Sequence, residues 1–284
     1  MTTRIAIWFA LGAALATAAR ADDLSVVEND TIQRAFPAAK SVDVDNFDGS
    51  ITVTGSSTQE IKIQVHKTIR ARSAEKVQEA KREVQLDMAP HDDGLRIYVD
   101  GPFRCKCGDG SVNWRGSRFY GYEVSFDFTI QVPRDTNLRL RTVNRGDIRV
   151  ENVTGTFDAE NINGGLELLE VSGSGHAYAL NRPVKVLFSR NPAAASDFGS
   201  LNGDVDITFR PGLSADLWMK TFNGHAYTDF DVSALPGRAG VREHRDGKFV
   251  YKSNEFFGVR AGNGGPELKF DAFNGDIRIH NREK

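Results

Sequence analysis

The sequence predicts an all-β fold, a β-solenoid or β-helix-like stack of repeats roughly 20 residues long with one short helical insertion. Three features predict it. Apolar and polar residues alternate with period 2 through much of the chain, a short Asn/Gly phrase followed by apolar-x-apolar recurs between residues 48 and 279, and the central copies of that phrase are regularly spaced. The 284 residues are 40% hydrophobic, with 36 Lys+Arg against 38 Asp+Glu, so a chain of this size can bury a core without a metal or a disulfide framework. A formal charge of -2 and a pI ≈ 6.3 give no general attraction to nucleic acid or anionic lipid, and nucleic acid is not an expected partner.

The first element is a leader. After Arg4 comes an unbroken apolar run, Ile5 to Ala16, then small residues and Ala19-Arg20-Ala21. That is the charged, apolar, small-x-small order of a secretory signal peptide, and it predicts removal of residues 1–21. The run is too short for a bilayer core that takes about 20 residues, and no later apolar stretch is long enough to span one. Without Arg4 and Arg20 the mature part, 22–284, carries 34 basic and 38 acidic residues. It is expected to be one exported β-repeat domain, placed in the periplasm, on the cell surface or outside the cell.

Strand signals follow. Ile61-Lys62-Ile63-Gln64-Val65 and Leu95-Arg96-Ile97-Tyr98-Val99 alternate, and Tyr122, Val124, Phe126, Phe128, Ile130 and Val132 form the longest such face. Between the first two, Ser73 can cap a helix over about 73–88, with Val77, Ala80, Val84 and Met88 on one face, ending before Pro90. A single helix among strands suits an insertion that covers a sheet edge. A long loop is expected at about 100–121.

The repeat organises the rest. Its copies begin at Asp48-Gly49, Arg145-Gly146, Asn163-Gly164, Asn181-Arg182, Asn202-Gly203, Asn223-Gly224 and Asn274-Gly275, each followed closely by an apolar-x-apolar pair such as Ile148/Val150 or Ile277/Ile279. The central copies start at 145, 163, 181, 202 and 223, which are 18, 18, 21 and 21 residues apart. Asn and Gly tolerate the left-handed backbone of a sharp corner, and the apolar pair after them points inward from the next strand. A unit of roughly 20 residues holds two strands and two turns, one coil of a stack. An antiparallel hairpin sandwich is the alternative, because Asn-Gly is also a favoured hairpin turn. Around Asn274-Gly275 it would pair Ala272 with Ile277 and Phe270 with Ile279. The period held over consecutive copies favours the stack.

The leader, the helix-bearing segment and the phrases Val-Asn-x-Gly-Asp-Ile, Leu-Asn-Gly-Asp-Val and Phe-Asn-Gly-Asp-Ile resemble the bacterial exported β-strand-repeat family labelled putative adhesins, a family without defined activity. The resemblance covers most of residues 40–281. It implies a right-handed β-helix-like fold and an envelope or surface location, and it supplies no binding residues to carry over. The loop at 100–121 and the stretch 234–265 interrupt the repeat.

Several chemical motifs fail on inspection. His244-Arg245-Asp246 and Asp197-Phe198-Gly199 look kinase-like but stand in reversed order, without a glycine-rich phosphate loop. The Gly-Asp pairs at 146–147, 203–204 and 275–276 lack the nonapeptide spacing of a calcium-binding β-roll. The six His lie singly, so no metal and no cofactor are expected. Cys105-Lys106-Cys107 suits a small strained disulfide in an oxidising compartment or, if reduced, a soft pair too small for structural zinc.

Around that pair, Arg104, Trp114, Arg115, Arg118, Phe119 and Tyr120 combine aromatic and Arg side chains in a Gly-rich stretch, the mixture enriched where proteins grip partners. Three functional readings follow. The first is a non-enzymatic binding or adhesin-like module that presents this loop or a stack face to a glycan or envelope protein. The second is an envelope structural or signalling component. The third, a polysaccharide-acting enzyme, has fold analogy as its only warrant. An exposed end of the stack also leaves self-association open.

Overall fold

Alternation of buried and exposed side chains sets the strands. The computed structural model describes residues 24–104, 119–236, 241–245, 248–252 and 256–283. The chain opens with β1 (Val26–Pro37), β2 (Ser41–Asp45), β3 (Ile51–Ser56) and β4 (Glu60–Ala71), continues through helix α1 (Ala74–Glu83), and returns in β5 (Gln85–His91), β6 (Gly94–Asp100) and β7 (Tyr122–Pro133). Short strands then alternate: β8 (Asn137–Thr142), β9 (Ile148–Glu151), β10 (Phe157–Asn161), β11 (Leu166–Val171), β12 (Gly175–Ala179), β13 (Val184–Phe188), β14 (Ser196–Ser200), β15 (Val205–Phe209), β16 (Ala215–Thr221) and β17 (Ala226–Thr228). The last part holds β18 (Val232–Ala234), β19 (Val241–Arg245), β20 (Lys248–Lys252), β21 (Phe257–Ala261), β22 (Glu267–Ala272) and β23 (Ile277–Asn281).

The all-β expectation holds. A 10-stranded sheet runs β1-β4-β7-β3-β9-β11-β13-β15-β23-β17, an 11-stranded sheet runs β18-β21-β16-β22-β14-β12-β10-β8-β2-β6-β5, and β19 pairs with β20 apart from both. Both large sheets are mixed. Their middle strands pair in parallel, with Leu166 beside Ile148 and Val184, and Phe157 beside Leu138 and Gly175. Residues one repeat apart therefore sit side by side. Among the described residues, antiparallel pairs are β1–β4, β4–β7, β5–β6, β16–β21, β18–β21 and β19–β20.

Each Asn/Gly corner joins a strand of one sheet to a strand of the other. The local hairpin considered at Asn274-Gly275 is absent, since Ala272 pairs with Ser200 and Thr221 while Ile277 pairs with Val205 and Ala226. Between the sheets lies one apolar core. Val205, Ile207 and Phe209 of β15 are fully buried and send Asp206 and Thr208 outward. Rings bridge the layers, with Phe188 and Phe198 centroids 6.1 Å apart and Phe209 and Phe270 6.4 Å apart. Each such side chain contributes about 1.5–3 kcal/mol by leaving water.

Three expectations need correction. The helix is shorter than 73–88. The Ser73 hydroxyl caps it by accepting from the Lys76 N–H, Val77 and Ala80 are buried, and Val84 is already extended. Residues 85–91 instead pair antiparallel with β6, exchanging the last helical turns for a full ladder. Pro90 is tolerated there because β5 is an edge strand.

The second correction concerns the corner glycines. Only Gly49 (φ +112°) and Gly146 (φ +114°) among them have left-handed backbone. At Gly164, Gly203, Gly224 and Gly275 the requirement is proximity, because a Cβ on Gly164 would lie 1.9 Å from the Gly146 carbonyl oxygen and one on Gly275 2.2 Å from that of Gly203. Stacked corners touch backbone to backbone. The third is order: β22 lies between β14 and β16, and β23 between β15 and β17, so the copy at 274 separates the copies at 202 and 223.

Candidate functional site

The corners form a continuous ridge. Its spine is a ladder of side-chain amides in which each Nδ2 donates to the next Oδ1: Asn163 to Asn144 at 3.4 Å, Asn181 to Asn163 at 2.9 Å, Asn202 to Asn181 at 2.9 Å, Asn274 to Asn202 at 2.7 Å and Asn223 to Asn274 at 2.8 Å. Backbone bonds hold the tiers level, as where the Asn181 N–H donates to the Ile162 carbonyl at 3.0 Å and the Asn223 N–H to the Phe273 carbonyl at 2.8 Å. Two residues before the ladder position, buried Asn161 donates to the Gly146 and Gly165 carbonyls, while Thr142, Ser200 and Thr221 donate to those of Gly49, Arg182 and Gly275. These bonds satisfy corner carbonyls, of which that of Gly165 also accepts from the Ile148 N–H.

Beside the amides runs an apolar row, one residue per tier: Phe47, Val143, Ile162, Leu180, Leu201, Phe273 and Phe222. It is aromatic at both ends. Phe47 stacks on Phe103 with centroids 3.8 Å apart, whereas Phe273 and Phe222 stack at 4.8 Å and 6° and remain 42% and 67% exposed. Rings that exposed stay accessible to a ligand. Tyr227, 52% exposed, lies on the neighbouring strand β17.

On the other side of the ladder a groove of about 860 Å³ is lined by Asp48, Glu123, Asn144, Arg145, Asp147, Gly164 and Arg182. Arg145 joins its two inner carboxylates, meeting Asp48 at 2.7 Å and Glu123 at 2.8 Å. Burial raises the Asp48 carboxyl above the usual range although Arg145 pulls it down, and the hydrogen bond that Arg145 donates to Asp48 holds its guanidinium above the ordinary value. Both acids are thus committed to one cation. Further along, Arg278 ties Asp204 to Asp276, each at 2.6 Å.

The loop residues singled out by sequence separate. Cys105, Cys107, Trp114, Arg115 and Arg118 lie outside the described residues. Arg104 faces the scaffold: it donates to the Val99 carbonyl at 2.9 Å, the Asp45 carboxylate at 2.9 Å and the Asp45 carbonyl at 3.0 Å, and its guanidinium lies over the Tyr98 ring. The Tyr120 hydroxyl donates to the Pro102 carbonyl and its ring stacks on Tyr122. Phe119 alone of these three is exposed, beneath the Arg72 guanidinium. Sequence reading passed over Phe222 and Phe273, although an apolar residue just past a strand end and directly before each ladder Asn was a visible signal.

No protein-family model matches the sequence, and no curated protein matches it significantly. Among solved structures, a putative cell adhesion protein from Clostridium sporogenes is similar at 12% identity and a TM-score of 0.38, over 90% of this chain and 100% of its own. A putative adhesin from Bacteroides fragilis is similar at 14% and 0.37, over 89% and 97%. A putative lipid binding protein from Parabacteroides distasonis is similar at 9% and 0.34, over 88% and 96%. Two of these three carry the adhesion label of the family that the sequence resembles. At such identities no residue role passes from them to this chain. Among the described residues, no helix is long and apolar enough to cross a membrane.

Proposed function

We propose that the chain is an exported, non-enzymatic, adhesin-like binding module. In this reading residues 1–21 are a leader, and 22–284 form a single right-handed β-solenoid that holds the corner ridge rigid before a glycan of the bacterial envelope. The observation that carries the reading is the exposed Phe222–Phe273 stack set beside the amide ladder. Apolar C–H faces of sugar rings lie flat on aromatic surfaces, and side-chain amides hydrogen-bond neighbouring hydroxyls. A tier every strand spacing, about 4.8 Å, presents those groups at a repeat suited to an extended polymer. The non-enzymatic reading is supported by the groove chemistry, since glycoside cleavage needs an acid and a base available to the substrate and Asp48 and Glu123 are both bound to Arg145.

Glycan-array and envelope-polysaccharide binding tests the reading. Replacement of Phe222 and Phe273 together by Ala is expected to weaken binding more than about tenfold, the loss of well over 1 kcal/mol of ring contact, with an unchanged melting temperature. Binding that survives this pair but fails in Trp114→Ala with Arg115→Ala would move the site to the 103–120 loop. Capture of an envelope protein without any glycan binding would favour the structural or signalling role.

A further inference from the structure

The 10-stranded sheet ends in an unusually long open edge, the 12-residue strand β1. Its partner β4 covers one side along the whole length, from Val26 opposite Ala71 to Pro37 opposite Glu60. Which backbone groups face outward follows from the bond just past the strand, where the Ala38 N–H donates to the Gln59 carbonyl. Antiparallel ladders alternate, so even-numbered residues of β1 bond β4 and odd-numbered ones direct their N–H and C=O groups to the open side. The Gln33 carbonyl agrees, since it accepts from the Arg34 guanidinium at 2.8 Å. Val27, Asn29, Thr31, Gln33 and Ala35 are all exposed and uncharged. Natural edges are usually blunted by Lys or by bulges, and β1 contains no Lys.

We propose that the chain forms a two-fold dimer through antiparallel pairing of β1 with β1 of a second copy, centred on Thr31. In that register Thr31 meets its own symmetry mate, Asn29 meets Gln33 and Val27 meets Ala35, so all five outward N–H groups of each copy find carbonyls. Pro37, which has no N–H, falls outside the paired region. A register centred on Ile32 would set Pro37 against Val27 and waste a pair. On the core-side face the Thr31-centred register places Glu28 opposite Arg34 twice and Val26 opposite Phe36 twice. Opposite charges directly across a strand pair are favourable and like charges are not. Glu28 already meets Lys81 at 2.5 Å and keeps a second oxygen for the partner's arginine. A two-fold axis through one residue makes the contact self-complementary and closed, giving a dimer rather than a fibre.

The dimer is independent of the glycan reading, because β1 lies at the opposite end of its sheet from β17, next to the exposed rings. The test is light scattering and sedimentation equilibrium of the full chain over micromolar to high micromolar concentrations. The expected result is a reversible dimer that Arg34→Glu weakens by about tenfold or more, two attractions having become repulsions. The swap Arg34→Glu with Glu28→Arg is expected to restore it. Thr31→Pro removes one outward N–H of each copy at the two-fold axis and sets a proline ring against its mate, so it is expected to abolish the dimer while the far-ultraviolet circular dichroism stays native. A chain that is monomeric throughout overturns the proposal, and so does an assembly indifferent to these substitutions.

Discussion

Gly164→Ala separates two explanations of the corner glycines. The residue has ordinary backbone, so a methyl group costs nothing in φ, yet it would sit 1.9 Å from the Gly146 oxygen and 2.6 Å from the Asn161 amide nitrogen. Neither neighbour can retreat freely: the Gly146 carbonyl belongs to the next corner, and Asn161 holds three corner bonds of 2.9–3.1 Å. Overpacking of this kind costs about 1–3 kcal/mol, and losing two of those bonds about 1 kcal/mol each, for about 3–5 kcal/mol in all. Gly212 is the control, since its φ of +76° disfavours a side chain but nothing lies within 4 Å, which predicts about 1–2 kcal/mol for Gly212→Ala. Urea unfolding with equal slopes measures both. Gly164→Asn sharpens the comparison, because Asn suits a left-handed corner but not a crowded one. If Gly164→Asn is tolerated, or if Gly164→Ala costs less than Gly212→Ala, crowding between tiers is the wrong explanation.

Further outcomes follow from the same contacts. Asn181→Ala removes two ladder bonds of 2.9 Å and is expected to cost about 1–2 kcal/mol. Asn181→Asp, which cannot donate to Asn163, should cost more, and thermal melts at neutral pH rank the two. Arg104→Lys loses the forked contact with Asp45 and the bond to Val99 at a site where the arginine side chain is only 7% exposed. It is expected to cost about 2–4 kcal/mol in chemical unfolding while glycan binding by the ridge stays unchanged. In acid, hydrogen bonds from Arg278 and Arg282 hold the Asp204 and Glu170 carboxyls below their ordinary values. Their stabilisation is therefore present above about pH 4 and lost as the pH falls through the lowered values. The stability gap between the native chain and Arg278→Gln with Arg282→Gln should open at pH 7 and close near pH 2, and a gap independent of pH refutes the assignment.

The strands were legible because their information is local. Val205-Asp206-Ile207-Thr208-Phe209 states by alternation alone which side chains reach the core, and an 18-residue spacing becomes a register in which Ile148, Leu166 and Val184 lie side by side. The end of the helix was not legible. Val84 and Met88 keep helical spacing, and the ladder between β5 and β6 that overrides it depends on a strand pairing that spacing within the segment does not encode. The candidate site divides the same way. The Asn row was visible as a motif, whereas the commitment of Arg104 to Asp45 depends on the turn after β6 reaching β2, 59 residues earlier in the chain.

The order of the tiers was hidden for a different reason. Asn274 bonds Asn202 and Asn223 as Asn181 bonds Asn163 and Asn202, and Gly275 touches Gly203 as Gly164 touches Gly146. Corners built alike are interchangeable neighbours, so corner chemistry cannot specify which tier follows which. The core and the outer face can. Phe270 of β22 stacks on Phe198 at 5.5 Å and meets Phe209 edge-on, a space that Met219, the β16 residue in register with Phe270, would fill less completely if that tier came next. On the outer face, Arg278 of β23 reaches Asp204 in the adjoining tier. Ring volume inside and one charge pair outside therefore favour the C-terminal strands β22 and β23 at the place where sequence order alone would set the copy at 223.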